Sequence, residues 1–275
     1  MFEAIFLKSS LAVDISIDYT NSDYVVPIED YQAHGSSQGT EAPLTSQSLE
    51  HLGPRLTLGY MHAMGDSHTV IGEIGGSYGE LLSGEAGTGG PVSGFAQRDV
   101  ADGKSRGMNL KIGVKSRWFN TPGHYRVLYF GYDRYKHDSS VDVKNDAGIE
   151  KPSAEKTSKS SLTSQRVKFG LATEHDIRIG VMSAAYEYGD AKYGVRAEQW
   201  ESYNGNALTP SNESIEGGSQ SIKLTYTAPI SSAVDMSISY QYTNFKPSNN
   251  SFPQSPFEDV KFNTYSLQTG ISIRF

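Results

Sequence analysis

Glu174-His175-Asp176 is the one place in this chain where an imidazole is flanked on both sides by carboxylates, a grouping suited to acid–base chemistry. Its surroundings read as a tight turn, where such a trio is ordinarily solvated. The other histidines, His34, His51, His62, His68, His124 and His137, show no metal-ligand spacing, and His62 and His68 merely flank a turn. The absence of cysteine removes disulfides and thiolate metal sites. Glycine-rich stretches at 72–79 and 84–94 lack the Gly-Lys-Ser/Thr of a phosphate loop and do not open a helix. Asp23, Glu29, Asp30, Glu41 and Glu50 make an acidic stretch, but not with the spacing of a calcium loop. The residues therefore imply no catalytic group, no metal and no cofactor. A net charge of -7 argues against a nucleic-acid partner, which would require a basic footprint.

The remaining charged residues are organised by a different rule. Met108, Leu110, Ile112, Val114 and Trp118 alternate with Asn109, Lys111, Gly113, Lys115 and Arg117. Leu11 to Tyr19, Val234 to Tyr242 and Tyr265 to Phe275 show the same period of two, the signature of strands with one apolar face. Mean hydropathy is only -0.46. With no run of roughly 18 apolar residues, a helical membrane protein is excluded. A membrane barrel is not, because its apolar residues occupy only alternate positions. The 17 tyrosines suit a boundary between lipid and water. Around Tyr125 to Tyr135 and Ile177 to Tyr188 both faces are partly apolar, which points to a bulge or a change of phase.

Short turns at 64–67, 120–123, 174–176 and 229–233 alternate with long polar segments near 21–50, 84–105, 138–160, 190–217 and 247–258. Four short and five long connections imply about ten antiparallel strands. The layout is an all-β, up-and-down transmembrane barrel, a single domain over 1–275, with short periplasmic turns, long extracellular loops and both termini periplasmic. Met1 to Lys8 lacks the basic start and unbroken apolar run of a signal peptide.

The last strand, Tyr265 to Phe275, resembles the closing strand of Gram-negative bacterial outer-membrane proteins, in which a terminal aromatic after alternating apolar residues is the assembly signal. That resemblance implies an outer-membrane location and gives Phe275 the signal role. It also implies the barrel assembly machinery, membrane lipid and lipopolysaccharide as partners. The ten-stranded layout is similar to that of OpcA-type adhesins and of the omptin proteases. Omptins use paired aspartates and an Asp–His pair at the extracellular rim. Glu174-His175-Asp176 falls at the opposite end, so no omptin role is carried over and no enzyme is expected.

Assigning the apolar set to lipid leaves Asp14, Asp18, Arg55, Glu73, Lys111, Lys115, Arg117, Arg126, Arg166, Lys168, Glu174, Lys223, Asp235 and Arg274 for the lumen. Bases outnumber acids in that set. A narrow, anion-preferring channel for small solutes is one reading. A filled lumen anchoring loops that bind an extracellular ligand is the other. Width favours the filled lumen, since about eight strands hold only side chains and about sixteen leave a channel. Filling would require local neutralisation, with Glu73 meeting Lys115 or Arg117, and Asp235 meeting Arg274.

Overall fold

The computed structural model describes residues 9–27, 44–90, 94–118, 121–142, 157–198, 211–248 and 261–275. His34 and much of the acidic first connection lie outside them. Ten strands follow in order: β1 (Ser9–Pro27), β2 (Leu44–Ala63), β3 (His68–Gly90), β4 (Gly94–Arg117), β5 (His124–Asp142), β6 (Thr157–Ile177), β7 (Gly180–Glu198), β8 (Ser211–Pro229), β9 (Val234–Pro247) and β10 (Lys261–Arg274). Each pairs antiparallel with its sequence neighbours, and β10 returns to β1, so the sheet is a closed barrel. The seam is joined beyond β10 by Phe275, whose backbone N–H donates to Leu11 O at 2.8 Å.

One end is closed by tight turns. Gly65 and Gly123 have φ of 78° and 76°, the left-handed conformation that glycine adopts without penalty. Met64 N–H donates to His68 O, and Ile230 N–H to Val234 O, both at 2.8 Å. This is the turn end; the other is the loop end.

Outward apolar side chains encircle the barrel. Ile112 is 61% exposed and Phe130 64% exposed, and Leu58, Val167, Leu224, Ile238 and Ile271 lie in the same belt. In a closed sheet, which leaves no backbone edge, such a belt is a lipid-facing surface. Tyr78, Tyr132, Tyr188, Tyr242 and Tyr265 border it toward the loop end, with Tyr60, Trp118 and Tyr226 toward the turn end. These are the amphipathic rings expected at headgroup level.

The strands do not stop at this border. About ten residues suffice to cross a bilayer as a tilted strand, yet β3 has 23 and β4 has 24. About half of the residues in the polar segments read as long loops belong to strands, and only 91–93 separate β3 from β4. The physical reason is an inversion of the pattern. Beyond the tyrosines Arg134, Lys136 and Lys192 point outward, while Tyr24, Leu49, Leu162, Tyr193, Ile215, Phe245 and Phe262 point inward and are buried. A search for outward apolar residues finds nothing there. The register shifts also occur in this half, at Glu50/His51 and Val100/Asp102. None interrupts the pairing of 125–135 or 177–188.

Candidate functional site

The lumen gathers the charged residues. Asp133 on β5 stands directly opposite Arg166 on β6, and Arg166 Nη2 lies 2.5 Å from Asp133 Oδ2 and 3.0 Å from Glu187 Oε2 on β7. Lys168, two residues along on the same face, reaches Asp133 at 2.8 Å and Glu187 at 2.9 Å. Its cross-strand partner is Gly131, where a Cβ would come within 2.9 Å of Lys168 Cε. That missing side chain is what lets the lysine lie sideways between the two carboxylates. Tyr129 O–H donates to Glu187 Oε1 at 2.8 Å, and its ring covers Gly170, where a Cβ would lie 2.1 Å from Tyr129 Cζ. All four charged side chains are buried. Such a group is held only when every charge is paired and hydrogen-bonded.

A second chain of contacts runs around the opposite wall. Ser266 donates to Asp18 at 2.7 Å, Arg55 lies 3.5 Å from Asp18 and donates to Asn109 at 2.7 Å, and Asn109 donates to Glu73 at 3.0 Å. Glu73 pairs with Lys111 at 2.8 Å. The expected partners were Lys115 or Arg117. The register corrects this, since Glu73 faces Lys111 directly. Lys115 instead pairs with Glu174 and sits 4.3 Å from the ring centre of Tyr125. Arg117 is exposed at the turn-end rim. There Arg274 and Asp235 meet at 2.9 Å. Asp14 lies opposite Ser272.

Arg126 does not line the lumen. It shares the outward phase of Leu128 and Phe130, with its guanidinium against the ring of Trp118, 2.9 Å from the ring centre. Reading β5 one residue out of phase places Arg126 inside and Asp133 outside. Inward Tyr125, Tyr129 and Tyr135 make both faces look apolar and cause that slip. Glu187 is hidden in β7 in the same way. With these two acids included, the wall between the rims carries Asp14, Asp18, Glu73, Asp133, Glu174 and Glu187 against Arg55, Lys111, Lys115, Arg166, Lys168 and Lys223. The expected basic surplus is absent from these described residues, and the lumen is balanced.

Toward the loop end the interior holds an apolar cluster. Tyr193 stacks on Phe262 at 4.2 Å between ring centres and lies 4.5 Å from Phe245, and Phe245 meets Phe262 edge-on at 5.4 Å. Tyr24, Leu49, Val100, Leu162 and Ile215 join the cluster from other walls, with Ala191 beside Tyr193 on β7. Gln47 crosses the lumen within it, bonded to Tyr24 and, at 3.0 Å, to Ser160. Between the ion layers and this cluster lies a cavity of about 80 Å³, bordered by Lys223, His137 and the polar side chains Ser239, Gln241, Thr243 and Gln268. His51 and His137 face each other at 5.0 Å, both buried.

Glu174, His175 and Asp176 do not converge. Successive strand residues point to opposite faces, so Glu174 bonds Lys115 inside while His175 Nδ1 meets His124 Nδ1 at 2.5 Å on the outer face.

No protein-family model matches the chain. No curated protein matches it either. Among solved structures it is similar to the outer membrane protease OmpT from Escherichia coli, with 8% identity, a TM-score of 0.63 and 97% of each chain covered. OprG from Pseudomonas aeruginosa aligns with 9% identity and a TM-score of 0.40, covering 98% of this chain and 97% of that one. At such an identity the likeness to OmpT shows the fold alone. The chain has the fold of the ten-stranded bacterial outer-membrane β-barrels.

Proposed function

We propose that this barrel is a closed outer-membrane anchor whose loop end faces outward and presents its connecting segments for surface binding. The observation that carries this reading is the packed cluster of Tyr24, Leu49, Leu162, Tyr193, Ile215, Phe245 and Phe262 across the loop-end lumen. Apolar side chains from strands all around the barrel meet there, and close packing of such a cluster supports a closed lumen. Beneath it, charge balance removes the basic lining that would favour anion passage. Tight turns at one end and wider connections at the other support the orientation, with turns and termini in the periplasm. Lipopolysaccharide and the barrel assembly machinery then follow as partners of the outer surface and of the terminal strand.

A hydrolase of omptin type would place facing carboxylates and an Asp–His pair at the loop end. Among the described residues that region holds instead the apolar cluster, with His51 and His137 set against each other. The channel reading retains one supporting observation, the polar cavity between the ion layers and the apolar cluster. Planar-bilayer recording of the refolded chain separates the two. A closed anchor gives no steps, whereas discrete steps with anion selectivity would replace it with the channel.

A further inference from the structure

The charges of the lumen balance in number but not in pairs. Of the acids and bases between the rims, Asp14 and Lys223 alone form no ion pair among the described residues. They do not meet each other. Asp14 stands opposite Ser272 on β10, whereas Lys223 stands opposite Gln241 on β9 and borders the cavity beneath the apolar cluster. Two acids act on Lys223 from beyond contact, Glu73 and Glu187, and Lys111 and Arg55 oppose them. Both acids are already engaged. Glu187 receives Arg166, Lys168, Tyr129 and Gln241, and Glu73 receives Lys111 and Asn109.

The carboxylates of the cavity itself do not answer this cation. Asp18 is held by Arg55 and Ser266, and Asp133 by Arg166 and Lys168. The lining therefore sets Arg55, Arg166 and Lys223 against Asp18 and Asp133, one positive charge in excess. Its spare hydrogen-bonding capacity is mostly that of donors. An ammonium carries three N–H groups and no acceptor. Arg55 Nη1 has only two long contacts, 3.5 Å each, to Asp18 and Tyr135. Ser239 is buried with no hydrogen-bond partner among the described residues, and His137 Nδ1 is likewise unpartnered. The cavity measures about 80 Å³. At roughly 30 Å³ per water, that is room for two or three waters, or for one small ion and a water.

We propose that this cavity binds a small monovalent anion, chloride, on the Lys223 ammonium, with the Ser239 hydroxyl and the Arg55 guanidinium as further donors. An enclosed charge requires a counter-charge as well as hydrogen bonds. Water alone would hydrate the ammonium and leave its charge standing, whereas a halide supplies both. The excess of cations in the lining selects an anion, and the volume selects a single halide over a larger, hydrated oxyanion. The site goes beyond the anchor reading and does not rest on it, since one enclosed ion is compatible with a silent barrel and with a conducting one.

The test is urea unfolding of the full chain refolded in detergent, with chloride exchanged for gluconate at constant ionic strength and read by the heat-dependent gel shift. A ligand that binds only the folded barrel stabilises it by mass action. Once the site fills, each tenfold rise in chloride should therefore lower the unfolding constant by up to about tenfold. Lys223→Met removes the charge at similar side-chain length and should abolish this dependence. Lys192→Gln, at an exposed pair with Glu216, should retain it. Crystals of the parent grown in bromide should show an anomalous peak in the cavity beside Lys223. If Lys223→Met does not refold, the chloride dependence and the bromide peak of the parent still decide. A parent indifferent to chloride, an equal dependence in Lys223→Met, or a cavity holding water only in the bromide crystals would each overturn the site.

Discussion

Asp133 and Arg166 stand directly opposite one another across β5 and β6, and the guanidinium makes two contacts with one carboxylate oxygen, at 2.5 and 3.1 Å. That pair neutralises the middle of the lumen and shares Lys168 and Glu187 with it. Removing one partner from such a network leaves a buried charge without compensation. Asp133→Asn is therefore expected to destabilise the barrel by about 3–5 kcal/mol. Urea unfolding in detergent, followed by the heat-dependent gel shift, measures it. Tyr129→Phe removes one bond to Glu187 and should cost only about 1–2 kcal/mol. Equal, small losses in both variants would mean that water, not pairing, stabilises these charges.

The aromatic cluster is expected to act as the seal. Phe262→Ala combined with Phe245→Ala removes two buried rings that meet at 5.4 Å. A double truncation opens space at the loop end while leaving the lipid-facing belt untouched. Discrete conductance should appear in the variant against a silent parent. Conductance equal in both would show that ions bypass the cluster.

Much of this arrangement was legible in the chain. Strand number, antiparallel order and the phase of β4 follow from residues such as Met108, Leu110 and Ile112 alternating with Lys111 and Lys115. The end of the belt was legible only as the end of the strands, because beyond it Leu49, Leu162 and Ile215 turn inward and the same period of two carries the opposite meaning. Asp133 and Glu187 were hidden because inward tyrosines on β5 and the apolar residues on both faces of β7 blur the phase. The pairing of Lys115 with Glu174 depends on three-dimensional reach across β5 and has no signature in sequence spacing.

His137 lies beyond the tyrosine border, where Arg134 and Lys136 face outward, and burial pushes its imidazole down to about 3, with the neighbouring His51 acting in the same direction. The unfolded chain takes up that proton near pH 6.5. Stability from the neutral form is thus complete above that value and is lost as pH falls toward about 3. Its register partners Ser105 and Leu162 are uncharged, and the charged groups Arg55, Asp18, Asp133, Arg166 and Lys223 border the cavity that it lines. His137→Leu should flatten the acid limb of a urea-midpoint profile between pH 6.5 and 4. An unchanged slope would assign acid sensitivity to the carboxylates alone.

Phe275 is 74% exposed and touches the barrel mainly through backbone hydrogen bonds with Leu11. Its ring contributes little buried area, so its removal should shift the unfolding midpoint of the refolded chain only slightly. Its resemblance to a terminal assembly signal leads to a different expectation in cells, where recognition precedes closure of β10 on β1. Deletion of Phe275 is expected to reduce surface-exposed barrel several-fold, while the same variant still refolds in detergent with a normal heat shift. Loss of refolding in both settings would make the residue part of the seam and not a signal. Full surface expression of the truncated chain would remove it from assembly altogether.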